Sequence, residues 1–101
     1  MPLFTLIGHD GPRGLELRPM HRPSHLDHWR PLAALGRVRH GGPLLDEAGS
    51  PRGSMLLFEA PDHASACAHA AADPYVVSGI FARYEVFETR VVLPESGGPG
   101  L

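Results

Sequence analysis

The chain has 101 residues, 43% of them hydrophobic, with a formal net charge of −2. This length fits one domain with a modest core, and the lack of a basic stripe argues against a nucleic-acid partner. No apolar run is long enough to span a bilayer, and the first residues do not have the pattern of a signal peptide. Cys67 is the only cysteine, so no intrachain disulfide forms. We therefore expect a cytoplasmic protein without a membrane partner.

Four segments have the composition of β-strands: residues 3–9, 37–45, 54–60 and 81–93. Gly41 and Gly42, inside the second segment, indicate a bulge or the close approach of another group. Between the third and fourth segments, Asp62 is expected to cap an alanine-rich helix. That helix should end at Asp73, because the residue before a proline avoids the helical region of backbone space.

The first helix is predicted between the first two strands. The glycines and prolines of residues 11–21 indicate a loop. A helix over residues 22–35 then follows, with Pro23 at its first position, where a missing N–H costs nothing. Gly36 is its expected C-terminal cap, and Pro31 predicts a kink inside it.

The resulting order, β-α-β-β-α-β, predicts an α+β, ferredoxin-like fold with four antiparallel strands and both helices on one face. Residues 1–93 are expected to form one domain, and residues 94–101, rich in glycine and proline, a flexible tail. The last strand carries apolar residues on both phases of its alternation, so neither sheet face is expected to be fully solvated. A single domain of this size cannot cover both faces. We therefore expect a homodimer whose two sheets face each other.

Two short motifs carry the candidate chemistry, Arg22-Pro23-Ser24-His25 and Asp73-Pro74-Tyr75. Antiparallel packing of the two helices would place the start of the first and the end of the second at the same edge of the sheet. His25 and Asp73 would then form a histidine–carboxylate dyad, a common unit of general acid and base catalysis. Each residue also has a structural interpretation: a helix-start histidine bonded to backbone or solvent, and an aspartate that closes a turn.

The predicted surroundings of His25 suit a base and an anionic ligand. In the first turn of a helix, the macrodipole disfavours a protonated imidazole, whereas a nearby Asp73 carboxylate favours it and fixes the tautomer. Arg22 and Arg18 can clamp a carboxylate or phenolate. A solvated surface charge is an equal alternative for Arg22 and the preferred interpretation of Arg18. Further candidates for substrate binding are Ser24, Gly42, Pro43, Tyr75 and Ser78.

Metal and cofactor sites are not expected. His21, His25 and His28 have spacings that would share a helix face, but the predicted helix begins after His21. No Glu or Cys accompanies them, and the metal motifs HExxH and CxxC are absent from the sequence. The sequence also contains no nucleotide-binding loop and no flavin or nicotinamide motif.

The order and spacing of six short motifs resemble the YciI-like (YCII-related) family over residues 3–93. These motifs are Arg22-Pro23-Ser24-His25-Leu26, Gly36-Arg37, Gly41-Gly42-Pro43-Leu44, Gly53-Ser54, Asp73-Pro74-Tyr75 and Gly79-Ile80-Phe81. The resemblance implies a ferredoxin-like fold that dimerises through its sheets, as in dimeric α/β-barrel proteins. It also implies an active site built from His25 and Asp73, without specifying a reaction.

Two functions of different class remain open. The first is a small cofactor-free enzyme in which His25 moves a proton on a small organic substrate and Asp73 orients it, in an isomerisation, elimination or hydrolysis. The second is a non-catalytic dimeric module that holds a small anion through Arg22 and His25. A contact of about 2.6–3.2 Å between His25 and Asp73, inside a concave pocket, favours catalysis.

Overall fold

The computed structural model describes residues 1–95. Its elements are β1 (Leu3–Asp10), α1 (Gly14–Ala34), β2 (Val38–Leu45), β3 (Pro51–Glu59), α2 (His63–Ala71), α3 (Pro74–Val77) and β4 (Phe81–Thr89). All four strands join in one antiparallel sheet of order β2-β3-β1-β4. This topology confirms the predicted α+β, ferredoxin-like fold. Part of the predicted tail, residues 96–101, lies outside the described residues.

The core lies between one face of the sheet and the two longer helices. Phe4 and Leu6, two residues apart on β1, are fully buried because alternate strand residues point to the same face. Trp29 from α1 packs against this pair, together with Ala66 and Ala70 from α2. Both helices therefore cover the same face of the sheet, as predicted. None of the helices within residues 1–95 is long and apolar enough to cross a membrane.

Helix α1 begins eight residues before the predicted start, so the loop predicted over residues 11–21 is wrong. It starts at Gly14 and encloses both Pro19 and Pro23. Each internal proline removes one helical hydrogen bond, but local propensity is overridden where tertiary contacts hold the helix in place. Arg18, in the second turn, supplies such a contact through a buried ion pair with Asp10.

The C-terminal end of α1 agrees with the prediction. The helix continues past Pro31, and Gly36 adopts a left-handed conformation with φ of +72°. The N–H of Gly36 donates to the carbonyl of Ala33 at 3.0 Å. The N–H of Arg37 donates to the carbonyl of Leu32 at 2.9 Å. This pair of bonds is a Schellman motif, which favours glycine at the left-handed position.

The strand boundaries differ from the predictions because each strand ends where its partner ends. β4 stops at Thr89, not at residue 93, since Thr89 pairs with Leu3 at the start of β1. β3 begins at Pro51, not at residue 54, since it continues its hairpin pairing to Leu45. The irregularities in the pairing of β2 occur between Val38 and His40 and between Leu44 and Leu45, not at the two glycines.

Between β3 and β4 the structure contains, besides α2, the short helix α3, which was not predicted. Asp62 caps α2 by accepting the N–H of Ser65 at 2.7 Å, as predicted. Asp73 follows the end of α2, but it also begins the four-residue helix α3. There its carboxylate accepts the N–H of Tyr75 at 2.9 Å, with Pro74 in the first helical position.

Replacing Leu6 with alanine tests the position of the core. Leu6 is fully buried between sheet and helices, so Leu6→Ala should lower the free energy of unfolding by about 2–5 kcal/mol. Leu35→Ala is the matched control, since Leu35 is 68% exposed and its truncation should cost less than about 0.5 kcal/mol. Urea denaturation of both variants gives the comparison, and equal losses would contradict this core.

Candidate active site

His25 and Asp73 meet in the helical layer. Nδ1 of His25 lies 2.8 Å from Oδ1 and 3.0 Å from Oδ2 of Asp73. The Asp73 side chain is fully buried, and that of His25 is 11% exposed. Because the carboxylate accepts, Nδ1 carries the proton. Nε2 makes no hydrogen bond within residues 1–95, and the imidazole lines a cavity. The free nitrogen is therefore available to a molecule in that cavity.

Asp73 is held by two further donors. Nε1 of Trp29 donates to Oδ2 at 2.8 Å, and the backbone N–H of Tyr75 donates to Oδ1. Burial opposes ionisation of this carboxyl group, but the hydrogen bond and charge of His25, with these two donors, outweigh it. The pKa of Asp73 is consequently lowered from its ordinary value of 3.8. The carboxylate is thus charged at neutral pH and can stabilise a protonated His25.

The position of His25 along its helix corrects one expectation. His25 was expected in the first turn, but α1 starts at Gly14, so His25 lies in the middle of the helix. The effect of the macrodipole falls off within the first turn. The Asp73 carboxylate, rather than the helix terminus, therefore dominates the electrostatic environment of the imidazole.

Tyr75 fixes the plane of the imidazole. The two rings stack with their centroids 3.9 Å apart and an angle of 3° between their planes. Phe81 packs against Tyr75, and its ring meets the Tyr75 ring edge-on with the two centroids 5.7 Å apart. Burial raises the pKa of Tyr75, although Arg18 and Arg22 act in the opposite direction. The phenol therefore stays protonated and can donate a hydrogen bond.

A cavity of about 640 Å³ lies between α1 and the β2–β3 half of the sheet. Its walls are mainly apolar and include Leu26, Trp29, Val38 and Leu56. Five residues predicted to belong to the site line this cavity: Arg22, His25, Gly42, Pro43 and Tyr75. The cavity is large enough for a small organic molecule.

Two other candidates do not line the cavity. The hydroxyl of Ser24 donates to the carbonyl of His21 at 3.0 Å, on the exposed side of α1. Ser78 follows the last residue of α3, and its buried Oγ has no hydrogen-bond partner within the described residues. Substrate contact by these two serines is not supported by their positions.

Arg18 is the residue whose environment was predicted wrongly. It was named as a possible clamp for an anion, with a surface charge as the preferred interpretation, but it is only 8% exposed and lines the cavity. Its guanidinium forms two parallel bonds to the Asp10 carboxylate at 2.7 and 2.8 Å. Burial would lower the pKa of Arg18, but the hydrogen bonds and charge of Asp10 raise it overall. The available signal was helical spacing with Arg22, His25 and Trp29, which the predicted loop concealed.

Two of the three histidines with helical spacing are bonded to other groups. His21, His25 and His28 all lie on α1, because the helix starts before His21 and not after it as expected. His25 is hydrogen-bonded to Asp73, and Nε2 of His28 donates to the carbonyl of His69 at 2.7 Å. Within residues 1–95, no group of three or more His, Cys, Asp or Glu side chains is placed to hold a metal ion.

Fold and site together define a ferredoxin-like α+β protein with a buried histidine–aspartate pair beside a ligand-sized cavity. The chain belongs to the YCII-related family, since the model of the YCII-related domain matches residues 2–90. Among curated proteins, none matches the chain significantly.

Solved structures extend this assignment. The chain is similar to 5-chloro-2-hydroxyhydroquinone dehydrochlorinase (TftG) from Burkholderia phenoliruptrix in complex with 2,5-dihydroxybenzoquinone. The identity is 28%, the TM-score is 0.77, and 87% of this chain and 93% of the other are covered. An antibiotic biosynthesis monooxygenase (16% identity, TM-score 0.56, coverage 91% and 99%) and Rv0793 from Mycobacterium tuberculosis (16%, 0.51, 95% and 99%) share the fold.

The stability of the protein should depend on the charge of Asp73. Because the pKa of Asp73 is lowered on folding, its stabilising effect is complete above the unfolded value of 3.8 and is lost as the pH falls through the folded value. Asp73→Asn should cost about 1.5–3 kcal/mol near pH 7 and less at lower pH. Urea denaturation between about pH 7 and pH 3 measures this.

Asp27→Asn is the control for this comparison, because Asp27 forms only an exposed ion pair with Arg30 on the same helix. Its cost should be small throughout the pH range. A difference between the wild-type protein and Asp73→Asn that stays constant with pH would contradict the proposed charge of Asp73.

Proposed function

We propose that this protein is an enzyme in which His25 and Asp73 act as a general acid and base pair on a small hydroxylated ring compound. The observation that carries the proposal is that the two nitrogens of the imidazole have different environments. Nδ1 is held by the buried Asp73 carboxylate, while Nε2 is left free in a ring that lines the cavity. The chemistry needs no cofactor, since protons move only between the substrate and His25.

The geometry favours proton transfer at Nε2. With the proton on Nδ1, Nε2 has the lone pair that accepts a proton from a substrate. The Asp73 carboxylate then stabilises the imidazolium, and stacking against Tyr75 keeps the ring from turning. A base positioned in this way contributes roughly 10²–10⁴-fold to a rate.

Cavity shape and similarity both favour a ring as substrate. The apolar walls include the broad side chain of Trp29, and the volume is about 640 Å³. Such a space suits a small planar molecule that stacks on aromatic residues. The similar TftG structure holds 2,5-dihydroxybenzoquinone. This supports a hydroxylated benzene or quinone as the substrate class of the present protein.

Elimination is the reaction that best combines this base with such a ring. A proton from one hydroxyl group would move through His25 to a ring carbon bearing chlorine. Chloride would then leave with the electron pair of its bond, while a second hydroxyl group loses its proton. Overall, a chlorinated trihydroxybenzene loses HCl and becomes a hydroxyquinone. His25 takes the first hydroxyl proton, delivers it to the carbon, and then accepts the proton of the second hydroxyl group, which is released as the H⁺ of HCl.

The proposal is tested with His25→Asn and 5-chloro-2-hydroxyhydroquinone as substrate. Chloride release and quinone absorbance should show a kcat about 10²–10⁴-fold below that of the wild-type protein, because the base is lost. His21→Asn is the matched control. His21 lies on the same helix one turn away, outside the cavity lining, and its replacement should leave kcat unchanged.

Two outcomes would contradict the enzymatic proposal. The first is unchanged chloride release by His25→Asn. The second is wild-type protein that binds 2,5-dihydroxybenzoquinone but turns over no chlorinated hydroquinone, which would favour the non-catalytic binding module instead. Either result leaves the fold and the family assignment intact.

We also propose that two copies of the chain associate through the other sheet face. Thr5 on the central strand β1 is flanked by Leu57 on β3 and Phe87 on β4, all pointing away from the buried Phe4. The helices of the described residues pack on the opposite face, and Phe87 is half exposed. A second copy presents the same apolar surface, so a twofold contact would bury both.

Phe87→Asp tests this association. At micromolar concentration the wild-type protein should sediment with twice the 10.9 kDa mass of the chain, and Phe87→Asp should sediment as a monomer, because burying a charge at the contact is costly. Met20→Asp is the control, since Met20 is exposed on α1 in the helical layer. A monomer mass for the wild-type protein would contradict the proposal.

A further inference from the structure

We infer that Trp29 is a positioning residue for the proposed reaction. Its indole N–H holds one carboxylate oxygen of Asp73, and this bond keeps Asp73 charged and leaves the proton on Nδ1 of His25. The inference rests on the proposed function, because it concerns the two residues assigned there to proton transfer. The hydrogen bonds of Asp73 carry it, together with the packing that fixes the indole ring.

The two oxygens of Asp73 depend on different donors. Oδ1 accepts Nδ1 of His25 at 2.8 Å and the backbone N–H of Tyr75 at 2.9 Å. Oδ2 accepts Nε1 of Trp29 at 2.8 Å, and its other contact is the longer one of 3.0 Å to the same Nδ1. Because the Asp73 side chain is fully buried, bulk water cannot replace the indole donor. Without that donor, Oδ2 would keep only a shared hydrogen bond, which is costly for a buried charge.

The indole N–H therefore affects where a proton is most stable within the pair. Burial raises the pKa of Asp73, and the hydrogen bonds from His25, Trp29 and Tyr75 lower it more. A carboxylate with fewer donors binds a proton more tightly. With the Trp29 donor in place, the Nδ1 proton gains nothing by moving to Oδ2, and Nε2 keeps the lone pair that the proposed reaction requires.

Three neighbouring rings hold the indole in this orientation. The rings of Phe58, His69 and His28 meet that of Trp29 at angles between 66° and 84°, with centroids 4.6–5.4 Å apart. Steep contacts of this kind restrict the plane of an aromatic ring. Trp29 is only 4% exposed, so its N–H is directed at Oδ2 before any ligand binds. The donor is therefore preorganised.

A purely structural role is the alternative, since a buried tryptophan needs a partner for its N–H. Trp29 packs in the core and also lines the cavity that His25 lines. The two roles predict different effects of removing the N–H alone. A structural N–H contributes only to stability, whereas a positioning N–H also changes the proton affinity of the pair.

The charged and titratable side chains around Asp73 come from all three helices, while the sheet contributes apolar side chains to this core. They are Arg18, Arg22, His25 and His28 on α1, His69 on α2 and Tyr75 on α3. Burial lowers the pKa of His69 and raises that of Tyr75, so both side chains are uncharged near pH 7. A change confined to the N–H of Trp29 leaves all of these groups in place.

The test removes the indole N–H and keeps the shape of the ring. Trp29 is the only tryptophan of the chain, so biosynthetic replacement of tryptophan by β-(3-benzothienyl)alanine changes this position alone and puts sulfur in place of the N–H. Two quantities are measured. The first is the titration midpoint of the Asp73 carboxyl carbon by carbon NMR, which requires no turnover. The second is the pH dependence of kcat for chloride release.

Loss of the donor should raise the pKa of Asp73 and move the acid limb of kcat to higher pH, each by about 0.5–1 pH unit. At pH 7, kcat should fall about threefold to tenfold because the carboxylate is less well fixed. KM should stay nearly the same, since the ring still fills its place in the cavity wall. Trp29→Phe, which also lacks the donor, serves the same measurements if the protein with the analogue does not fold.

Two comparisons separate the donor from the packing. 5-Fluorotryptophan at position 29 retains the N–H and should return the acid limb to its wild-type position. Leu6→Val is the control for lost core packing, because Leu6 is fully buried and lies outside the cavity lining. It should lower stability and leave the acid limb in place.

An unchanged titration midpoint of Asp73 in the protein without the N–H would overturn the inference, as would an unchanged acid limb with unchanged kcat. Either result would leave the indole with a packing role only. Failure of the proposed function would appear differently, as absence of turnover by the wild-type protein or unchanged chloride release by His25→Asn. The Asp73 titration would then still decide whether the indole controls the charge of the carboxylate.

Discussion

The buried Asp73 carboxylate is the interaction on which the rest of this molecule depends. A charge removed from water is very costly unless it is fully hydrogen-bonded. Here His25 and Trp29 from α1 and the backbone N–H of Tyr75 from α3 satisfy it. The same bonds fasten α1 to the end of α2, orient the imidazole and place its free nitrogen in a cavity. The structural role of Asp73 and its proposed catalytic role therefore fall on one side chain, and the interpretation of Asp73 as a turn residue is compatible with both.

A second buried charge pair holds α1 nearer its N-terminus. Arg18 and Asp10 join the helix to the end of β1, while His25 and Trp29 hold it about two to three turns further on. Between these two sets of contacts, α1 crosses the β2–β3 half of the sheet without packing closely against it. The cavity is the space left between the helix and these two strands. These contacts also explain why a helix with three internal prolines is stable, because interactions with residues outside the helix compensate for the hydrogen bonds that the prolines remove.

Much of the fold was predictable because its signals are local. Alternating apolar residues predict strands, Asp62 and Gly36 have the side chains that helix ends require, and the order of elements limits the topology to few choices. The approach of His25 and Asp73 followed from that topology and from the family resemblance. The start of α1 was not predictable in the same way, since residues 11–21 carry loop-forming prolines and glycines. The fourth strand was predicted too long, because its end depends on the length of β1, with which it pairs.

The sequence by itself determined the type and order of the elements, their principal caps and the two motifs of the site, because these depend on neighbouring residues. Only the tertiary structure decided that Arg18 is buried against Asp10, that Ser54 from β3 faces the same cavity, and that Ser24 does not. These facts depend on contacts between residues far apart in the chain. Burial of a charge is decided by whether a distant partner satisfies it, and no local pattern records that partner.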